Sequence, residues 1–288
     1  MLRGVALGVC CFMVGCGLRT FLQLEATRID DGLEVWLGGG GNSVGVLHGR
    51  QAFLSDVKFA DFGMRLRHDV EDVLRLKVSR IMLTHAHGDH AGGLSLYPEV
   101  GAVLVHPNAK KRLWAQGERA PFVEVDGEIR LFLGEEEVRV LNLGSGHTDG
   151  DLVAYLPKRK WVVAGDLVNE DLEPRVDQAY GGDVLALAHT VQRILELDFT
   201  HLVPGHGQVM PRSKVEHFGE YLKQLEGGVR AEVAKGSDEE ATVRAVQLVG
   251  FDDIKSAFYV PSREGTTRAM FQSVKREVET ISAKKGGP

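Results

Sequence analysis

Beyond residue 16 this 288-residue chain has no cysteine: Cys10, Cys11 and Cys16 are the whole complement. Disulfides and thiolate metal ligands are thereby excluded from the body, and any metal there must be held by nitrogen and oxygen. Positive charge is not in excess either. Lys and Arg number 34 against 40 Asp and Glu, a net charge of −6, the wrong sign for a broad electrostatic grip on nucleic acid. No repeat of fixed period and no low-complexity linker interrupts the chain. The "GGGG" at 38–41 has no P-loop lysine after it, so it reads as a flexible loop near a site mouth and not as a phosphate cradle. What remains is ordinary for a globular protein: 43% hydrophobic and 26% charged residues, enough for one large domain or two small ones.

The N-terminus departs from that norm. Arg3 precedes the apolar "VALGVCCFMVGCGL", the layout of a secretory signal and too short for a membrane span. "MVGC", ending at Cys16, resembles the lipobox of bacterial lipoproteins, with Met13 where that motif usually has Leu. The expectation is an exported protein, either a lipoprotein anchored to the membrane through Cys16 or a periplasmic protein. The plainer alternatives are a simple cleaved signal and an apolar N-terminal segment with incidental cysteines.

Alternating or continuous apolar runs predict strands at 33–37, 43–47, 52–57, 80–84, 102–106, 137–143, 152–156, 161–165 and 201–204. A helical pattern covers 68–77. The clearest amphipathic helix places Val184, Leu187, Ala188, Val191, Ile194 and Leu195 on one face, with Asp183 as its cap. Past 211 the pattern is helical, with a capping box of Ser237 and Glu240 and a last apolar face of Phe271, Val274, Val278 and Ile281. Three segments follow: a signal with lipobox at 1–16, an α/β domain at 30–210, and a C-terminal helical segment at 211–288.

"THAHGDHAGG" at 84–93 puts His85, His87, Asp89 and His90 in a glycine-fenced loop just past the apolar run "RIML". Glycine lets the backbone turn tightly enough for these side chains to converge. Imidazole and carboxylate are the donors a zinc-class ion accepts where thiolate is missing. One such cluster cannot complete two tetrahedral metals. His147 in "GSGHTDGD", Asp166 in "AGDL" and His206 in "VPGHG" each follow an expected strand and adjoin glycine, which makes them the candidate partners.

HxHxDH followed in order by GHT, GD and GHG resembles the metallo-β-lactamase fold superfamily over about residues 33–210. The resemblance implies an αββα sandwich and a hydrolase in which a water bridging two divalent ions becomes the nucleophile. It assigns His85, His87 and His147 to a first metal and Asp89, His90 and His206 to a second, with Asp166 bridging. Two Zn2+ are expected, with iron or manganese as alternatives. Asp89 gains a further catalytic role, orienting the nucleophile or moving a proton. Asp56 resembles the early strand-end aspartate that holds a ligand histidine from behind.

The expected partner is a small-molecule substrate with an ester, thioester, lactone or amide bond. A glyoxalase II-like thioesterase and a β-lactamase are the alternatives within hydrolysis. One zinc β-lactamase branch has a cysteine where Asp166 stands and another lacks the HxH start, which places lactam cleavage second. A non-catalytic or iron-dependent redox member is the alternative outside hydrolysis. The oligomeric state has no signature in the sequence.

Overall fold

The computed structural model describes residues 24–257 and 260–285. The expected signal and lipobox, with all three cysteines, lie outside these residues. Among them no helix is long and apolar enough to cross a membrane.

Two sheets form the body. The first runs in sequence order through β1 (Glu25–Asp30), β2 (Leu33–Leu37), β3 (Ser43–His48), β4 (Gln51–Ser55), β5 (Lys77–Met82), β6 (Ala102–Val105) and β7 (Phe122–Glu124). The second contains β8 (Glu128–Leu133), β9 (Glu136–Leu141), β10 (Val153–Leu156), β11 (Trp161–Gly165), β12 (His201–Pro204) and β13 (Met210–Pro211), ordered 13-12-11-10-9-8. Among the described residues seven α-helices accompany them: α1 (Ala60–Arg67), α2 (Gly88–Ala91), α3 (Pro107–Ala115), α4 (Val184–Leu195), α5 (Arg212–Lys235), α6 (Glu239–Ala245) and α7 (Arg263–Lys285).

Strand alternation sorts the core into three layers. Leu33, Val35 and Leu37 of β2, Phe53 of β4, Met82 of β5 and Val163 of β11 meet between the sheets. Trp36, Ala52, Leu54 and Ile81 point the other way, toward Leu66 of α1 and Leu113 of α3. Val162 and Ala164 face α4, and α5 and α7 join that same cluster through Leu222, Leu225, Met270, Phe271 and Val274. This is the expected αββα sandwich. Its C-terminal helices share one apolar cluster with the outer face of the second sheet. Fully burying each such side chain stabilises the fold by roughly 1.5–3 kcal/mol.

Some local expectations shift. The helix expected at 68–77 begins at Ala60 and continues as a π-helical turn over His68–Val73, while Lys77 already opens β5. Among α1 residues only Gly63 and Leu66 are buried, so apolar periodicity is too sparse to reveal it. Asp183 does cap α4, accepting from Leu185 N and Ala186 N, both at 3.0 Å. The cap of α6 is Asp238, not Ser237. Gly236 ends α5 at φ 81°, which leaves Asp238 extended and able to accept from Ala241 N at 2.7 Å. The end of α7 is also less covered than its pattern suggests, with Val278 and Ile281 exposed.

One edge collects the loops that matter. Strands β4, β5 and β6 run parallel, as do β11 and β12, and β9 points the same way as β11 through two antiparallel pairings. The segments leaving β4, β5, β9, β11 and β12 therefore emerge together. Backbone bonds stitch this edge across the sheets, from Leu152 N to Thr84 O (2.8 Å) and from Asn42 N to Gly205 O (2.8 Å), while Gly205 N to Gly165 O (2.7 Å) ties the ends of β11 and β12 within the second sheet.

Candidate metal centre

All seven expected ligands converge at that edge, forming the groups His85/His87/His147, His85/His90/Asp166 and Asp89/His90/His206. Their far sides decide what their near sides can do. Thr84 Oγ1 donates its single hydrogen to Asp56 Oδ2 (2.7 Å), so it can only accept from His85 Nδ1 (3.0 Å). Asp177 Oδ2 accepts from His87 Nε2 (2.9 Å), Arg175 O from His147 Nδ1 (2.8 Å) and Asp56 Oδ2 from His90 Nδ1 (2.8 Å).

Each of these four imidazoles thus has one N–H occupied, and the opposite nitrogen of each neutral ring carries a lone pair. Those lone pairs face one another. His87 Nδ1 lies 3.1 Å from His85 Nε2 and 2.9 Å from His147 Nε2. Mutually facing lone pairs repel unless a cation sits among them. A tetrahedral zinc site with bonds of 2.0–2.1 Å has donor–donor edges of about 3.3 Å, close to this spacing.

Asp166 spans both halves. Its Oδ2 is 3.6 Å from His147 Nε2, while Oδ1 is 3.2 Å from His90 Nε2 and 3.3 Å from His206 Nε2. His90 Nε2 and Asp166 Oδ1 are buried and make no hydrogen bond. Asp89 Oδ2 completes this half at 3.3 Å from His206 Nε2. The donor set fits two zinc-class ions: three imidazoles on one side, two imidazoles and a carboxylate on the other, and a carboxylate between.

Electrostatics agree with that division. Burial drives His147 down to about 4 and His85 well below its ordinary range, so both are neutral, as ligands must be. Burial also acts against charge on His90, but Asp89, Asp56 and Asp166 outweigh it and hold its proton affinity well above normal. Burial opposes ionisation of Asp89 and Asp166, yet the surrounding imidazoles keep both below the usual carboxylate range. A pocket that concentrates negative potential in this way is suited to a multivalent cation.

Asp56 holds His90 from behind, as its resemblance implied. Its left-handed backbone (φ 54°) aims the carboxylate at three donors: Thr84 N, Thr84 Oγ1 and His90 Nδ1. Substituting Asp56→Asn should weaken zinc affinity about 10–100-fold with the fold retained, measured by chelator competition and circular dichroism. Unchanged affinity would remove Asp56 from the site.

The glycine loop 38–41 differs from expectation. It is buried and fixed, because Lys58 Nζ donates to Trp36 O, Gly38 O and Gly41 O at 2.8–2.9 Å, and Gly41 N donates to Asp89 O at 2.8 Å. Any Cβ at Gly41 would run into the His90 ring, so glycine there is a requirement of close approach.

Sequence reasoning missed Lys58, Thr84, Arg175 and Asp177. They carry no motif, and only their contacts reveal them. His106 and His201 stand apart from the cluster. The former caps α3 by accepting from Asn108 N, and the latter stacks on Trp161.

Comparison with known proteins agrees with this fold. The metallo-β-lactamase superfamily domain matches residues 37–206, well over half of the chain. This chain belongs to the metallo-β-lactamase superfamily. Among curated relatives, the metallo-β-lactamase type 2 of Bacillus cereus is 27% identical over 158 residues, 54% of this chain and 61% of that protein. The chain therefore spans about three fifths of that relative's length. The metallo-β-lactamase type 2 of Bacteroides fragilis is 24% identical over 188 residues, 64% of this chain and 75% of that protein. Among solved structures, a metallo-β-lactamase from Pontibacter korlensis superposes with a TM-score of 0.62 at 21% identity, covering 70% of this chain and 99% of that one. At that identity the likeness concerns the fold.

Proposed function

We propose that this chain is a zinc-dependent hydrolase of small acyl compounds, cleaving an ester, thioester, lactone or amide bond. The convergence of imidazole lone pairs around the two-faced carboxylate of Asp166 carries the reading. His85, His87 and His147 would hold one ion and Asp89, His90 and His206 the other, with Asp166 shared. Bound divalent ions supply Lewis acidity and lower the pKa of water toward neutrality.

The protein's own residues do the rest. Asp56, Thr84, Asp177 and Arg175 O fix the ring orientations. Asp89 has slight solvent exposure and sits beside His206, a place from which its carboxylate can orient a water or take its proton. The Arg175 guanidinium, 3.4 Å from Asp166 Oδ2 and partly exposed, is placed to bind an anionic group of the substrate. Phe59, half exposed beside Gly40, and Tyr180, 4.7 Å from the His87 ring, give the rim apolar surface.

A panel of lactone, thioester, ester, lactam and phosphodiester substrates, run with and without chelator, tests the proposal. Chelator-sensitive turnover of an acyl substrate is expected, and no turnover of any member would defeat it. The curated relatives named metallo-β-lactamases favour a second reading, β-lactam cleavage, against which stands Asp166 in the place of one branch's cysteine. Nitrocefin turnover without lactone or thioester hydrolysis would reverse the order. Near-stoichiometric iron in protein purified without added zinc would favour redox chemistry instead. An Asp89→Asn variant should lose about 10²–10⁴-fold in kcat. If it keeps full metal content and full turnover, Asp89 has no proton-handling role.

A further inference from the structure

The connection between β11 and α4 is long, and its regular structure is limited to the short 3-10 turn Gln178–Tyr180 and a single parallel bridge of Leu172 to Lys255. Its second half orients two ring systems of the metal centre. Arg175 O accepts from His147 Nδ1, Asp177 N donates to His147 O (2.8 Å), and Asp177 Oδ2 accepts from His87 Nε2. Its first half is held by the loop after β12, where Glu170 N donates to His206 O (3.2 Å) and Gln208 N to Glu170 Oε2 (2.7 Å), and by the C-terminal helical segment. Lys214 of α5 donates to Asp171 Oδ2 at 2.9 Å, and Lys255 N donates to Asp171 O at 3.0 Å.

Glu173 is the centre of this anchorage and is fully buried. Its N–H donates to Lys255 O (2.9 Å). Its carboxylate accepts from Tyr221 Oη on α5 and, at Oε1, from Arg263 Nε on α7 (3.0 Å). Arg263 also donates to Ile254 O at 3.1 Å, which binds the loop before α7 into the same knot. Pro174 then joins this knot to Arg175. Its ring fixes φ near −65° and keeps the preceding residue extended, making the link from Glu173 to the His147 acceptor short and stiff.

We infer that Glu173 is a positioning residue for the metal centre, through which Tyr221 and Arg263 of the C-terminal helices set the orientation of His147 and His87. A buried carboxylate with two donors from separate helices tolerates little displacement, because losing either leaves charge uncompensated in the interior. Movement of Glu173 is transmitted over one proline to the carbonyl that fixes the His147 tautomer. The C-terminal segment is on this view part of the site's scaffold and not only a cover for the second sheet. The inference rests on the hydrolase reading of that site.

The test is titration of the full-length, metal-free protein with Co2+, followed by visible absorption and chelator competition, beside a thermal melt. Glu173→Gln and Tyr221→Phe should weaken Co2+ binding about 3–10-fold and alter the absorption band, a smaller effect than removal of a group that touches a ligand directly. Tyr221→Phe deletes one oxygen and keeps the ring, so the answer does not depend on the Glu173 variant folding. The control is Val229→Ala, which opens a cavity in the same helical cluster but is not bonded to the loop. It should lower the melting temperature and leave Co2+ binding unchanged.

Wild-type affinity in Tyr221→Phe and Glu173→Gln would overturn the inference, as would an equal loss in Val229→Ala. If wild-type protein fails to bind Co2+, the hydrolase reading falls and this inference with it. If wild type binds Co2+ and both variants match its affinity, this inference alone falls.

Discussion

Asp166→Ala is expected to eliminate metal-dependent turnover, a loss on the order of 10³-fold or more in kcat/KM, together with loss of bound metal. The Asp166 carboxylate spans both donor sets, with Oδ2 toward His147 and Oδ1 toward His90 and His206. Its neighbours allow no substitute to move in. Any Cβ at Gly205 would collide with Asp166 Oδ1, which shows how closely the β12 loop is moulded around that carboxylate. Alanine would leave the imidazoles of the two halves without a shared anion and raise the net positive charge of a doubly occupied site. Metal analysis by mass spectrometry and steady-state kinetics check the outcome. Two bound metals with near-normal turnover in the variant would mean that Asp166 does not bridge.

Lys58→Met should destabilise the fold by roughly 2–5 kcal/mol, measured by urea denaturation of the metal-free protein. The ammonium is fully buried, and each of its three hydrogens meets a carbonyl of the segment 36–41. Burial pulls its pKa down to about 7, with Asp56 opposing the shift, so holding the charge inside is itself costly. Methionine removes that cost but strands three buried carbonyls, and the stranding dominates because its thioether fills the space without offering them a hydrogen. The same variant should also lower zinc affinity, since the loop it releases packs on His90 and accepts no side chain at Gly41. A loss below about 1 kcal/mol would show that the loop holds without its lysine.

Much of the architecture is legible in the sequence because strand alternation and strand-end glycines are local signals. The strands at 33–37 and 161–165 coincide with their expected bounds, and Asp183 caps α4 as its spacing implies. The ligand set is legible for a related reason. Three imidazoles and a carboxylate within six residues have few structural uses, and the later histidines and aspartate each follow a strand. Helix α1 lies ahead of its expected position because it buries too little to show periodicity, and α3 and the edge strands β1, β7 and β8 lie outside the expected elements.

What the chain alone determined is which atoms are available for chemistry: nitrogen and oxygen donors, no thiolate in the body, a glycine where His90 needs room. Only the tertiary structure decided how those atoms are used. A histidine's tautomer depends on what lies behind it, and the residues behind these rings are distant in sequence: Asp56 for His90, Asp177 for His87, Arg175 O for His147. The same holds for Glu173, an unremarkable acidic residue in a loop until Tyr221 and Arg263 close on it. Such contacts follow from packing two sheets and three C-terminal helices against one another, and no local pattern encodes them.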